Sequence, residues 1–213
     1  MATEIEAVIF DFDMTLADSS YAIHKCTNLL AAAYGLATVS REAVLAGIGL
    51  PIEDCWQQYW GDYKDEWIEY YRAQFRGVEQ DEIILFPNTE ALLSKLRAAG
   101  IKTGVVSNRR FARKVLDSTK LTPFMDAIVG LEDVTNAKPD PEALLLGIER
   151  LGVSCEKTLY VGDTDIDMKT AAAAGVRGVG MTTGNFDEDG LAAAGAWRVC
   201  SDLIEMAPLC GLK

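Results

Sequence analysis

Apolar residues fall into two regimes along this chain. The first run, IEAVIF from Ile5 to Phe10, has the length and composition of a buried strand, and two aspartates stand where it ends. From about Ala17 to about Ile84 nothing reads as a strand. Asp18, Ser19 or Ser20 is placed to cap a helix through the apolar positions of YAIHKCTNLLAAAYG, which Gly35 ends. A second helical stretch follows Ser40 and stops near GIGLP, where Gly47, Gly49 and Pro51 force a loop. Trp56, Tyr59, Trp60, Tyr63, Trp67, Tyr70 and Tyr71 then recur at three- and four-residue spacings, interrupted at Gly61. Such a stripe packs a helical core by default. The whole stretch reads as an all-helical insertion, a cap, between the first strand and its partners.

From Phe86 the pattern alternates. NTEALLSKLRAAG is a helix ended by Gly100, and IKTGVVSN a strand. RFARKVLDSTKL (helix), DAIVG (short strand), PEALLLGIERLG (helix), KTLYVGD (strand), DMKTAAAAG (helix) and VRGVGMTTG (strand) follow. Strands separated by helices of this size predict an α/β fold, a Rossmann-like parallel sheet with helices on both faces. Ligand sites in such sheets lie at the carboxyl ends of the strands. The four chemistry-bearing segments all fall at such ends, so residues far apart in sequence converge on one rim.

Composition narrows the function. The 213 residues are 49% hydrophobic and 24% charged, ordinary for a globular protein with a substantial core. A formal charge of −12 with no basic stretch argues against nucleic acid and against an anionic membrane surface. It also hinders long-range steering of anionic substrates, so local cations must offset it, as a bound metal would. Five scattered cysteines without a CxxC pair fit reduced thiols in a cytoplasmic protein. No signal-like segment precedes the first strand, and no apolar run approaches membrane-spanning length.

Asp11 and Asp13 repel each other at the strand end, unless a divalent cation lies between them or one acts as nucleophile and the other as proton carrier. The ordinary alternative is a solvated turn, against which Thr15 and the preceding apolar strand both weigh. Ser107 and Asn108 fit a cap for a helix starting near Arg109, and equally a phosphate cradle. Lys138, before Pro139, is either an exposed lysine ahead of a helix or the point charge that a transferring phosphoryl group needs. Asp163, Asp165 and Asp167 are loop acids or oxygen ligands suited to magnesium. The sole histidine, His24, excludes multi-histidine zinc sites and Ser-His-Asp chemistry. Arg109 and Arg110 stand at the rim beside Ser107, where the readings are an arginine that reaches substrate and, by default, a helix-start arginine in solvent.

These four motifs, in this order and with this insertion, resemble the haloacid dehalogenase superfamily, more closely its phosphoglycolate-phosphatase-like branch with a helical cap. The resemblance implies Asp11 as nucleophile and Asp13 as general acid/base, with Thr15, Ser107, Asn108 and Lys138 on the phosphate and Lys138 also catalytic. It places Mg2+ on Asp11, Asp13 through its carbonyl, Asp163 and Asp167. A core of residues 1–16 and 85–213 and a cap of 17–84 are expected. The implied activity is phosphatase action on a small phosphorylated metabolite, by a monomer or homodimer. A phosphomutase of the β-phosphoglucomutase type and a receiver-like phospho-signalling module are the alternatives. One departure stands out: Met14 replaces the glycine usual after the second aspartate.

Overall fold

The computed structural model describes residues 5–212, the side chain of Arg76 excepted. In chain order the strands are β1 (Ala7–Phe10), β2 (Ala17–Asp18), β3 (Ile84–Leu85), β4 (Lys102–Val106), β5 (Ala127–Val129), β6 (Thr158–Gly162), β7 (Arg177–Met181) and β8 (Arg198–Cys200). Six of them form one parallel sheet in the order β5-β4-β1-β6-β7-β8. β1 lies in the interior of that sheet and all four of its residues are inaccessible to solvent, which is why its sequence is apolar rather than alternating.

Helices α6 (Thr89–Ala98), α7 (Ala112–Ser118), α8 (Glu142–Leu151), α9 (Asp165–Ala173), α10 (Glu188–Ala193) and α11 (Met206–Leu209) accompany this sheet. Because side chains alternate across a strand, Val8 and Phe10 pack on one face with Leu92, Leu96, Val115 and Met206. Ala7 and Ile9 pack on the other with Leu144, Ile148 and Ala171. The sheet is therefore sandwiched by helices, as the alternation predicts.

The insertion consists of α1 (Ser20–Tyr34), α2 (Arg41–Gly47), α3 (Ile52–Trp60), α4 (Asp65–Gln74) and α5 (Arg76–Asp81). Its boundaries follow the expected signals. Gly35 closes α1 at φ 67° and Gly61 closes α3 at φ 72°, while the Ser40 side chain accepts from the Ala43 amide to cap α2. The aromatic stripe forms a core of its own, with Trp56, Trp67, Ile68 and Tyr71 packed on Cys26 and Leu30. Trp56 meets Tyr71 edge-on at 5.6 Å between centroids, and Trp60 meets Trp67 likewise at 5.6 Å, the geometry that ring quadrupoles favour.

Three expectations are corrected. The stretch from Ala17 to Ile84 is bracketed by β2 and β3, an antiparallel pair (Ala17 opposite Leu85, Asp18 opposite Ile84) too short to show a period. The edge strand β8 and helices α10 and α11 follow the last strand read from sequence. The third lies after Ser107, where α7 begins at Ala112 rather than near Arg109, because Phe111 takes the left-handed conformation at φ 64°. No helix of the described residues is long and apolar enough to cross a membrane.

Candidate active site

Parallel register levels the strand ends. Phe10 is paired with Val105 of β4 and Val161 of β6, so the residues that follow these strands reach the same rim. The Asp11 amide donates to the Val161 carbonyl at 2.8 Å, and the Ser107 amide to Val129 at 3.1 Å. Asp11, Asp163 and Asp167 are all buried there, and each offers a carboxylate oxygen within 4.8 Å of the others. Lys138 enters from the loop between β5 and α8. Its Nζ donates to Asp11 Oδ1 at 2.8 Å, to Asp167 Oδ1 at 2.7 Å and to the Tyr160 hydroxyl at 3.0 Å.

Two glycines make this crowding sterically possible. A Cβ on Gly162 or on Gly184 would collide with the carboxyl groups of Asp167 and Asp163 respectively. Asp167 has a local role as well. Thr164 caps α9, and the Asp167 side chain reaches back to the Thr164 amide at 3.2 Å in a capping box. The helix-cap reading and the site reading thus hold together for this residue.

Electrostatics sets the requirement. Burial, with the charges of Asp167 and Asp13, pushes the Asp11 carboxyl up to about 7, although Lys138 pulls it down. Burial drives the Asp163 carboxyl well above the usual range, and Asp167 and Asp11 add to the effect. For Lys138, burial disfavours the ammonium, yet Asp11 and Asp167 more than offset this and hold it charged. Three carboxylates against one ammonium leave a formal −2 when all are ionised. That surplus, presented by hard oxygen donors in a cleft, fits a divalent cation such as magnesium.

The Asp13 carboxylate stands beside this cluster in the cleft and is not one of its members. It accepts from Ser19 Oγ at 2.5 Å and, on both oxygens, from Arg109 Nε and Nη2 at 2.6 and 2.7 Å. Any share of Asp13 in a metal site would accordingly fall to its main-chain carbonyl. Arg109 is therefore clamped rather than solvated, with a side chain 19% exposed, which corrects the default reading. Ser107 Oγ accepts from the Arg109 amide at 3.1 Å and does not cap α7. Asn108 donates to the Gly49 carbonyl of the GIGLP loop at 2.8 Å and accepts from the Lys138 amide at 2.9 Å, tying cap loop to lysine loop. Thr15 Oγ1 donates to Asp163 at 3.1 Å. Met14 does sit where glycine would be easiest, at φ 57°, in a turn closed by its amide on the Ala17 carbonyl at 2.8 Å.

Above the rim lies a cleft of about 140 Å³, floored by Asp11, Asp13, Ser107 and Arg109 and roofed by cap residues including Ile48, Leu50, Trp56 and Tyr71. Tyr160, Ser19 and Glu79 belong to this neighbourhood and escaped sequence reasoning, whereas Arg109 is legible at the rim but not as a partner of Asp13. Tyr160 reads as one more apolar position of TLYV, and nothing in a helical segment marks Glu79 as inward-facing. His24 lies away from the rim, bonded to the Val39 carbonyl at 3.1 Å.

The family model described as haloacid dehalogenase-like hydrolase matches residues 8–181. A phosphoglycolate phosphatase of Salmonella typhi is 30% identical, over 86% of this chain and 84% of its own length. Among solved structures, a Bacteroides fragilis protein described as a haloacid dehalogenase-like hydrolase superposes with a TM-score of 0.86 at 33% identity, covering 95% of this chain and all of that one. A hydrolase from Pseudomonas syringae gives 0.80 at 26% identity, over 96% of this chain and 97% of its own. With the carboxylate cluster and its lysine at the head of a parallel sheet, these likenesses make the chain an enzyme of the haloacid dehalogenase-like hydrolase family, in its phosphatase branch.

Proposed function

We propose that the protein is a magnesium-dependent phosphatase of small phosphorylated metabolites, akin to phosphoglycolate phosphatase, that works through an aspartyl-phosphate. The observation that supports this most is the buried contact of Lys138 Nζ with Asp11 at 2.8 Å, beside the carboxylates of Asp163 and Asp167. In this reading Asp11 is the nucleophile, Lys138 the phosphate-binding cation and the three carboxylates the divalent-ion site, all on one rim.

In the first step an Asp11 carboxylate oxygen attacks phosphorus in line, and the bond to the leaving oxygen breaks. Asp13 gives its proton to that oxygen, so the product departs as an alcohol. Lys138, the Ser107 hydroxyl and the amides after β4 hold the equatorial oxygens. Thr15 and Asn108 serve mainly by holding Asp163 and the Lys138 loop in place. In the second step Asp13 takes a proton from water, which attacks phosphorus and releases inorganic phosphate with Asp11 regenerated. Magnesium on Asp11, the Asp13 carbonyl, Asp163 and Asp167 would neutralise charge between the nucleophile and the phosphate dianion.

Residues 17–84 form the cap in this reading and residues 1–16 and 85–213 the catalytic core, of which 1–4 and 213 lie outside the described residues. The cap closes the cleft, excludes bulk water and contacts the leaving group. A phosphate-release screen over a metabolite panel, with magnesium and with chelator, tests the proposal. Turnover of at least one phosphomonoester, abolished by chelator and by Asp11→Asn, is expected. Phosphate release that survives Asp11→Asn would sink it.

A further inference from the structure

Arg109 joins the floor of the cleft to its roof. On the core side it grips both oxygens of Asp13 at 2.6 and 2.7 Å. On the cap side its Nη1 donates to Glu79 of α5, which in turn accepts from the Tyr71 hydroxyl of α4. Glu79 and Tyr71 are each only 5% exposed. A carboxylate sunk beneath an aromatic cap is costly unless paired, and its partner here belongs to the other half of the molecule. Two-point contact from a planar guanidinium fixes both the rotamer and the plane of a carboxylate, which a single ammonium contact would not. Ser19, the residue before α1, adds a third bond to Asp13 at 2.5 Å.

Resting on the phosphatase reading, we propose that Arg109 is a positioning residue. It aligns the Asp13 carboxylate with the leaving oxygen, and through Glu79 and Tyr71 it makes that alignment depend on α4 and α5 being seated over the rim. Arg109 acts through Asp13 and does not touch the reacting atoms. The benefit falls on the step in which the leaving oxygen is protonated. An alkoxide leaving group needs that proton, whereas nitrophenolate, a weak base, departs without it.

The test compares kcat/KM for nitrophenyl phosphate and for the best alkyl phosphomonoester of the release screen, in wild type, R109Q, R109K, E79Q and Y71F. R109Q is expected to lose about 100-fold on the alkyl ester and less than about fivefold on the nitrophenyl ester, with KM little changed. R109K recovers part of the loss, and E79Q and Y71F fall in the same selective direction by a smaller factor. Equal losses on both esters, no loss, or a change confined to KM would each overturn the assignment. Should R109Q fail to fold by circular dichroism, E79Q decides by the same criterion. A wild type that hydrolyses neither ester sinks the phosphatase reading itself, whereas uniform losses in the variants sink only the role of Arg109.

Discussion

At the floor of the cleft Asp11 and Asp167 pair with the Lys138 ammonium, and Asp163 stands beside them. At its roof Trp56, Tyr71, Ile48 and Leu50 present apolar surface, with Glu79 reaching down to Arg109. The floor is held by charge and by rigid strand ends, with two glycines shaved to let carboxylates meet. The roof is held by ring packing within the insertion and meets the core through the β2–β3 ribbon, the Arg109–Glu79 ion pair and the Asn108–Gly49 hydrogen bond. The difference is one of forces: a floor of this kind carries surplus negative charge and demands a cation, while the roof stands on its own ring packing and reaches the floor through Glu79.

The largest effect should come from the floor. Lys138→Ala leaves Asp11 and Asp167 without their cation, an uncompensated buried cluster worth about 3–5 kcal/mol. It should also cut kcat by about 100-fold or more. Chemical denaturation and steady-state kinetics would read the two losses, and wild-type-like values for both would show the floor to be held otherwise. Trp56→Ala should loosen the roof by about 3–5 kcal/mol. Hydrogen exchange should rise in α1, α3 and α4 while the strands stay protected. Exchange rising equally in β1 and β6 would mean that floor and roof are one cooperative unit.

A smaller effect concerns pH. Because burial lifts the Asp11 carboxyl from 3.8 to about 7 in the folded protein, the folded state binds the proton more tightly than the unfolded chain does. Its contribution to stability is therefore present at low pH and lost as pH rises between those values. With chelator, the melting temperature of wild type should fall relative to Asp11→Asn across that window, and magnesium should reverse the trend. A flat difference would contradict the charge-strained floor. Smallest of all, Lys120→Gly calibrates the comparison from outside both regions. Lys120 ends α7 at φ 61°, so glycine there should add up to about 1 kcal/mol without altering turnover. A loss of stability would show that the lysine side chain matters more than its backbone.

Legibility in the sequence follows the same divide. The floor could be read because each part is a short polar cluster directly after an apolar strand, and parallel topology brings such ends together: Asp11 after IEAVIF, Asp163 after TLYVG. The aromatic stripe announced the helical roof. What escaped reading depends on tertiary placement alone. Tyr160 is apolar by position and polar only at the atom that meets Lys138 and Asp167. Glu79 shows its orientation only once α5 is docked. Arg109 reads as a solvent residue until the left-handed Phe111 delays α7 and lets the side chain fold back onto Asp13. Strands of two and three residues, β2, β3 and β8, carry no period to detect.

The central claim is that Asp11 carries the phosphoryl group during turnover. Wild-type protein quenched in acid during hydrolysis of a good substrate, then reduced with borohydride and mapped by mass spectrometry, reads this directly. Reduction of an aspartyl-phosphate leaves homoserine, and the account predicts it at position 11. Homoserine at another aspartate, or a phosphoryl group retained on a serine or threonine, would contradict it.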